Sequence, residues 1–74
     1  MKNCLTIAGS DCSGGAGIQA DLKTFSALGC YGMSVITSVF AENTHALLSS
    51  MSVSQEVIAD QLEAVFSDIR VDAV

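Results

Sequence analysis

Leu5-Thr6-Ile7-Ala8-Gly9-Ser10-Asp11-Cys12-Ser13-Gly14-Gly15-Ala16-Gly17 is the stretch that decides the fold. A short apolar run breaks at Gly9, and a loop with three glycines within Gly14 to Gly17 leads into an amphipathic run. Glycines permit positive φ and leave backbone N–H groups bare. A strand that enters such a turn and leaves as a helix builds a pocket for a small polar or anionic group. Asp11 stands before the glycines and Asp21 about one helical turn after them.

Outward from the loop, Leu5 to Ala8 is predicted as a buried strand. Ile18, Leu22, Phe25 and Leu28 recur at helical spacing and predict a helix from Gly17, with Asp21 and Lys23 off that stripe. Gly29 is the expected C′ residue, where left-handed φ is cheap. Met33 to Phe40 is β-branched and aromatic and predicts a second strand, emerging at Ala41-Glu42-Asn43-Thr44. Strand, helix and strand at this length make a right-handed βαβ unit with parallel strands. His45 to Val53 has no period and is read as an irregular β-excursion or flap. Ser54 is the expected N-cap of a second helix with Glu56 in its first turn and Val57, Ile58, Leu62, Val65, Phe66 and Ile69 as its buried stripe. Val71 to Val74 reads as the opening of a third strand.

Half of the 74 residues are apolar and only 15% are charged. That is rich in apolar side chains for a small independent domain, and it suits strands covered on both faces. Residues 1–74 are therefore expected to be one partial domain of a larger α/β protein, prone to self-association through an uncovered sheet edge. The net charge of −5, with only Lys2, Lys23 and Arg70 as cations, gives no basic face for nucleic acid or an anionic membrane. Cys4, Cys12 and Cys30 form no Cys-x-x-Cys pair and fit a reduced, cytoplasmic protein. No secretory signal is apparent, and no apolar run is long enough to span a bilayer.

Gly15-Ala16-Gly17-Ile18-Gln19-Ala20 fits the dinucleotide fingerprint, and Glu42 stands where an acid could bind a ribose hydroxyl. Against a Rossmann-type segment, Ser10 to Gly14 separate the first strand from those glycines. A P-loop fails because no Gly-Lys-Ser/Thr follows Gly9 and Gly14. His45 is the sole histidine, so neither a metal cluster nor a serine triad is supported. Among the acids, Asp11 reads as a turn-capping carboxylate and Asp21 is balanced between a solvated helix face and a site. Glu42, beside Asn43 and Thr44 at a strand carboxyl end, reads as functional, because open α/β sheets bind ligands there.

The run from Leu5 to Gly29 resembles the N-terminus of hydroxymethylpyrimidine/phosphomethylpyrimidine kinases. The likeness continues through Tyr31-Gly-Met-Ser-Val-Ile-Thr-Ser, Ala41-Glu-Asn-Thr and Gln61-Leu-Glu-Ala-Val-Phe-Ser-Asp-Ile. It implies the ribokinase-like fold, a three-layer α/β/α sandwich with a mainly parallel sheet. It also implies transfer of a phosphoryl group from ATP, with Mg2+, to 4-amino-5-hydroxymethyl-2-methylpyrimidine and then to its monophosphate, in thiamine diphosphate biosynthesis. On that resemblance Glu42 contacts the ring and its amino group, and Asp21 lies near the hydroxymethyl. Gly9, Asp11 and Ala16 line the pocket floor, Phe40 is an apolar wall, and Gly14-Gly15 is a hinge-like element. The anion-hole glycines, catalytic aspartate and ATP cradle belong to a C-terminal part outside these residues, so no catalytic residue and no metal ligand is expected here. The resemblance also implies a homo-oligomeric parent. Glutamine is frequent in the family where Glu42 stands, as is proline where Cys12 stands. Pyridoxal kinases share much of the motif and are the nearest alternative; a non-catalytic remnant that keeps the fold is another.

Overall fold

The computed structural model describes all residues, Met1–Val74. The order is β1 (Asn3–Asp11), α1 (Gly17–Ala27), β2 (Tyr31–Glu42), β3 (Leu47–Ser52) and α2 (Gln55–Phe66). The strands form one sheet in the order β1-β2-β3. β1 and β2 run parallel, with Asn3 opposite Tyr31 and Leu5 opposite Met33, as a βαβ unit requires. β3 returns antiparallel on β2 and pairs Ser38 with Ser52 and Ala41 with Ser49.

Leu5, Met33 and Val35 are the buried apolar centre of one sheet face, and Ile58, Leu62, Val65, Ile69 and Val71 pack on them. The opposite face carries α1, whose Leu22 and Phe25 lie over Gly32 and whose Asp21 bonds Thr6. Helix, sheet and helix give the three layers that the resemblance implies.

Local signals account for most boundaries. Gly29, at φ +76, follows the Leu28 C-cap of α1 as the C′ residue. Ser54 caps α2 by accepting from the Val57 N–H at 3.2 Å, and Glu56 occupies the first turn. Ala73 forms an isolated parallel bridge to Cys4, and Leu5 N–H donates to the Ala73 carbonyl, so the segment read as the opening of a third strand lies on the free edge of β1.

Three expectations need correction. The excursion expected at His45 to Val53 contains a regular strand, β3, all six residues of which are exposed. The α2 stripe is narrower than read. At about 100° per residue, Ile58, Leu62, Val65 and Ile69 fall within roughly 60° of one another, whereas Val57 and Phe66 flank them on opposite sides. Both flanking residues are about half exposed. Leu28 likewise leaves the α1 stripe, because it is the C-cap and stands clear of the sheet.

Past Ala8 the β1–β2 register slips, with Ala8 opposite Ile36 but Ser10 opposite Val39. Gln61 of α2 serves the β2 backbone beside this slip. Its amide accepts from the Ile36 N–H and donates to the Ile36 carbonyl, both at 2.9 Å. A partly buried backbone pair that no strand reaches is thereby satisfied.

Candidate substrate-side site

The carboxyl ends of β1 and β2 bring the glycine loop and Glu42 to the same end of the sheet. Asp11 pairs in register with Phe40, and Cys12 donates its thiol hydrogen to the Glu42 carbonyl at 3.1 Å. Gly9 lies beneath the Phe40 ring. A Cβ there would fall 2.6 Å from Phe40 Cε2 and 2.9 Å from Ser38 Oγ, so the ring packs where only a hydrogen is present. Gly9, Asp11, Phe40 and the Glu42 backbone therefore meet at this end of the sheet.

The loop is closed from inside. Asp11 is buried, and its Oδ1 accepts from Ser13 N–H at 2.9 Å and Ser13 Oγ at 2.7 Å. The Ser13 hydroxyl and backbone N–H, with smaller help from the Ala16 and Gly15 amides, hold the Asp11 carboxyl below its ordinary range. The Ser13 N–H is thus turned on the chain's own carboxylate and the Gly14 N–H on the Asp11 carbonyl at 3.0 Å, so neither is left for an outside anion. A second acid at the opposite sheet end, Asp72, is lowered by the Asn3 N–H it accepts from and then by Arg70.

The sign of the pH effect follows. A carboxyl lowered in the folded state contributes stability that is fully present above its unfolded value near 4. That contribution is lost as pH falls through the lower folded value. Asp11→Asn is expected to be less stable at neutral pH and to show a shallower loss below about pH 4, where Asp72 still titrates. Thermal unfolding of both proteins across that range checks it.

Gly17 joins the loop to α1 at φ +61 and bridges Ser10, with its own hydrogen pressed toward the Gly9 carbonyl. Ala16 precedes it as an exposed N-cap in extended geometry, without a side-chain cap. Gly14 is also left-handed, at φ +85, and its carbonyl accepts from Lys23 Nζ at 3.0 Å. Asp21 lies farther along α1. Its Oδ2 accepts the Thr6 hydroxyl at 2.5 Å, tying helix to strand, and Oδ1 receives no hydrogen bond from the chain.

Sequence reasoning missed Gln19, which accepts from Asp11 N–H at 2.9 Å and donates to Ser10 Oγ at 2.7 Å. Its position off the apolar stripe and one turn before Lys23 was the available signal. Gly9, Asp21 and Glu42 do not enclose a cavity between them. The hollow of about 240 Å³ lies at the other end of the sheet, lined by Met1, Lys2, Asn3, Arg70 and Asp72. No group of three or more His, Cys, Asp or Glu side chains is placed to hold a metal ion. No helix is long and apolar enough to cross a membrane.

The family described as phosphomethylpyrimidine kinase matches residues 11–74. The chain belongs to the phosphomethylpyrimidine kinase family. It is 61% identical over 70 residues to the hydroxymethylpyrimidine/phosphomethylpyrimidine kinase of Escherichia coli, covering 95% of this chain and 26% of that protein. The crystal structure of phosphomethylpyrimidine kinase from Clostridium difficile superposes with a TM-score of 0.97 at 58% identity, covering all of this chain and 32% of that one. The pyridoxal kinase of Bacillus subtilis, in an ADP complex, superposes at 0.89 and 43% identity over 99% of this chain and 29% of that one. The chain thus spans about a quarter of the length of the curated kinases it matches. Family membership sets the Rossmann reading aside, and the fold is that of the N-terminal part of ribokinase-like kinases.

Proposed function

We propose that residues 1–74 form the pyrimidine-binding part of a kinase that phosphorylates hydroxymethylpyrimidine and its monophosphate. What carries this assignment is the junction of the glycine loop with the β2 tip, where Cys12 meets the Glu42 carbonyl at the carboxyl end of parallel strands. Phe40 over Gly9 offers an apolar surface for a heteroaromatic ring. The Glu42 carboxylate accepts from an exocyclic amine. Asp21 Oδ1, free of protein donors, is available to a hydroxymethyl group. Gly9, Asp11 and Ala16 form the floor, and Gly14-Gly15 the bend that lets the loop adjust.

The residues present do not fit a nucleoside triphosphate. Lys23, the cation nearest the loop, is tied to Gly14, and the chain carries a net charge of −5. ATP and Mg2+ are therefore assigned to the three quarters of such kinases that this chain does not cover, and the 74 residues alone are expected not to turn over. We further assign the segment to one partial domain of a cytoplasmic, homo-oligomeric parent.

The test is a chimera in which residues 1–74 replace the matching segment of the Clostridium difficile kinase. ATP-dependent phosphorylation of hydroxymethylpyrimidine, in preference to pyridoxal, is the expected result. A folded chimera that prefers pyridoxal overturns the substrate assignment in favour of the pyridoxal kinase neighbours.

A further inference from the structure

We propose that Gln19 is a positioning residue for the substrate-side loop: its carboxamide fixes Ser10 and Asp11 against α1, and so sets the wall presented to a pyrimidine. This rests on the functional assignment above. The register slip between Ala8 and Ser10 interrupts the ladder near the carboxyl end of β1, shortly before the loop. The edge of β1 away from β2 carries no strand at Asp11: it is paired near Cys4 and Leu5 and by the isolated Ser10–Gly17 bridge. The Asp11 N–H therefore needs a partner other than a neighbouring strand, and Gln19 Oε1 supplies it at 2.9 Å.

One carboxamide makes both contacts because it accepts and donates at once. Nε2 holds the Ser10 hydroxyl at 2.7 Å while Oε1 holds Asp11. Order then passes along a connected path. Gln19 fixes the Asp11 backbone, the Asp11 carboxylate fixes Ser13, and the adjacent Cys12 rests on the Glu42 carbonyl. Lys23, one turn further, ties Gly14 to the same helix face, but it is exposed and its share is small. Gln19 itself is half-buried, and it links the helix to the strand rather than touching the reacting group.

Two variants separate positioning from general stability. Gln19→Met keeps the length and helix propensity and removes both hydrogen bonds. Gln19→Glu keeps the acceptor for Asp11 N–H, and the Ser10 hydroxyl can turn to donate to it. In the chimera, Gln19→Met is expected to raise the KM for hydroxymethylpyrimidine about tenfold, with kcat and the KM for ATP within about twofold. In the 74-residue chain the Ser13 amide is expected to exchange about tenfold faster. Gln19→Glu is expected to bring the pyrimidine KM back to within about threefold of the parent.

A Gln19→Met chimera with an unchanged pyrimidine KM overturns the proposal, whatever the amide exchange does. So does a loss shared equally by kcat and both KM values, which marks general disruption. If Gln19→Met does not fold, Gln19→Glu decides alone: a pyrimidine KM near the parent's supports the proposal and a tenfold rise overturns it. A parent chimera that binds ATP but ignores the pyrimidine fails before any variant is made. That result overturns the functional assignment and this proposal with it, and it is distinguishable from a failure at Gln19.

Discussion

Gly17→Ala is expected to destabilise the folded state by on the order of 3–5 kcal/mol, enough to abolish folding of a segment this small. Two effects combine. The residue sits at φ +61, where a β-carbon costs about 1–2 kcal/mol. The added Cβ would also lie 2.2 Å from the Gly9 carbonyl oxygen, and backbone, unlike a flexible side-chain tip, cannot swing away. Relief requires α1 to retreat from β1. That movement breaks the Ser10–Gly17 bridge and pulls Gln19 from Asp11. Gly29→Ala is the matched comparison, because Gly29 has φ +76 with nothing within 4 Å of its would-be Cβ. It retains the conformational cost alone, about 1 kcal/mol. Urea unfolding of the two variants checks the contrast; equal losses would mean that helix and strand are not in tight contact at Gly17.

The same contrast marks how much was legible in the sequence. Gly29 announces a helix end by position alone, and Ser54 announces a helix start by standing before an apolar stripe with Glu56 in the first turn. Both follow from short-range rules, and both hold in the structure. Gly17 was legible as part of a flexible turn, but its steric necessity comes from Gly9, eight residues away and across a layer. Leu47-Leu48-Ser49-Ser50-Met51-Ser52 does not alternate, so nothing local marks it as the strand β3. Its extended form is imposed by pairing to β2 rather than by a buried face of its own. Gln61 gave no signal for a related reason, and Gln19 gave only its place off the apolar stripe. Each replaces a missing strand partner for backbone groups at or beside the register slip, and a slip leaves no periodic trace in sequence. Asp11 reads from the sequence as a turn-capping carboxylate and holds that role in the structure, where it accepts from Ser13, whereas the packing of Phe40 on Gly9 comes from the geometry alone.

Glu42→Ala in the chimera is expected to raise the KM for hydroxymethylpyrimidine by about 10- to 100-fold while leaving the KM for ATP unchanged. A hydrogen bond to a charged group contributes about 1.5–3 kcal/mol, and each 1.4 kcal/mol is tenfold. The fold should survive, because β2 pairs through its backbone and the contact with Cys12 uses the Glu42 carbonyl rather than its side chain. Glu42→Gln separates charge from shape. An ionised carboxylate only accepts, so it can take the proton of an exocyclic amine but opposes the lone pair of a neighbouring ring nitrogen. Engaging both positions requires one proton shared between the carboxylate and the ring. Wild-type affinity for the pyrimidine is therefore expected to fall as pH rises, since binding takes up that proton. A glutamine donates to the ring nitrogen and accepts from the amine without any added proton, so the Glu42→Gln profile should be flat with an affinity at least equal at high pH. Isothermal titration in buffers of different ionisation enthalpy counts the proton directly. Uptake in the parent and none in Glu42→Gln is the expected pair of results. No uptake in either protein would mean that Glu42 meets the amine alone, and the ring nitrogen would then need a donor from another part of the kinase.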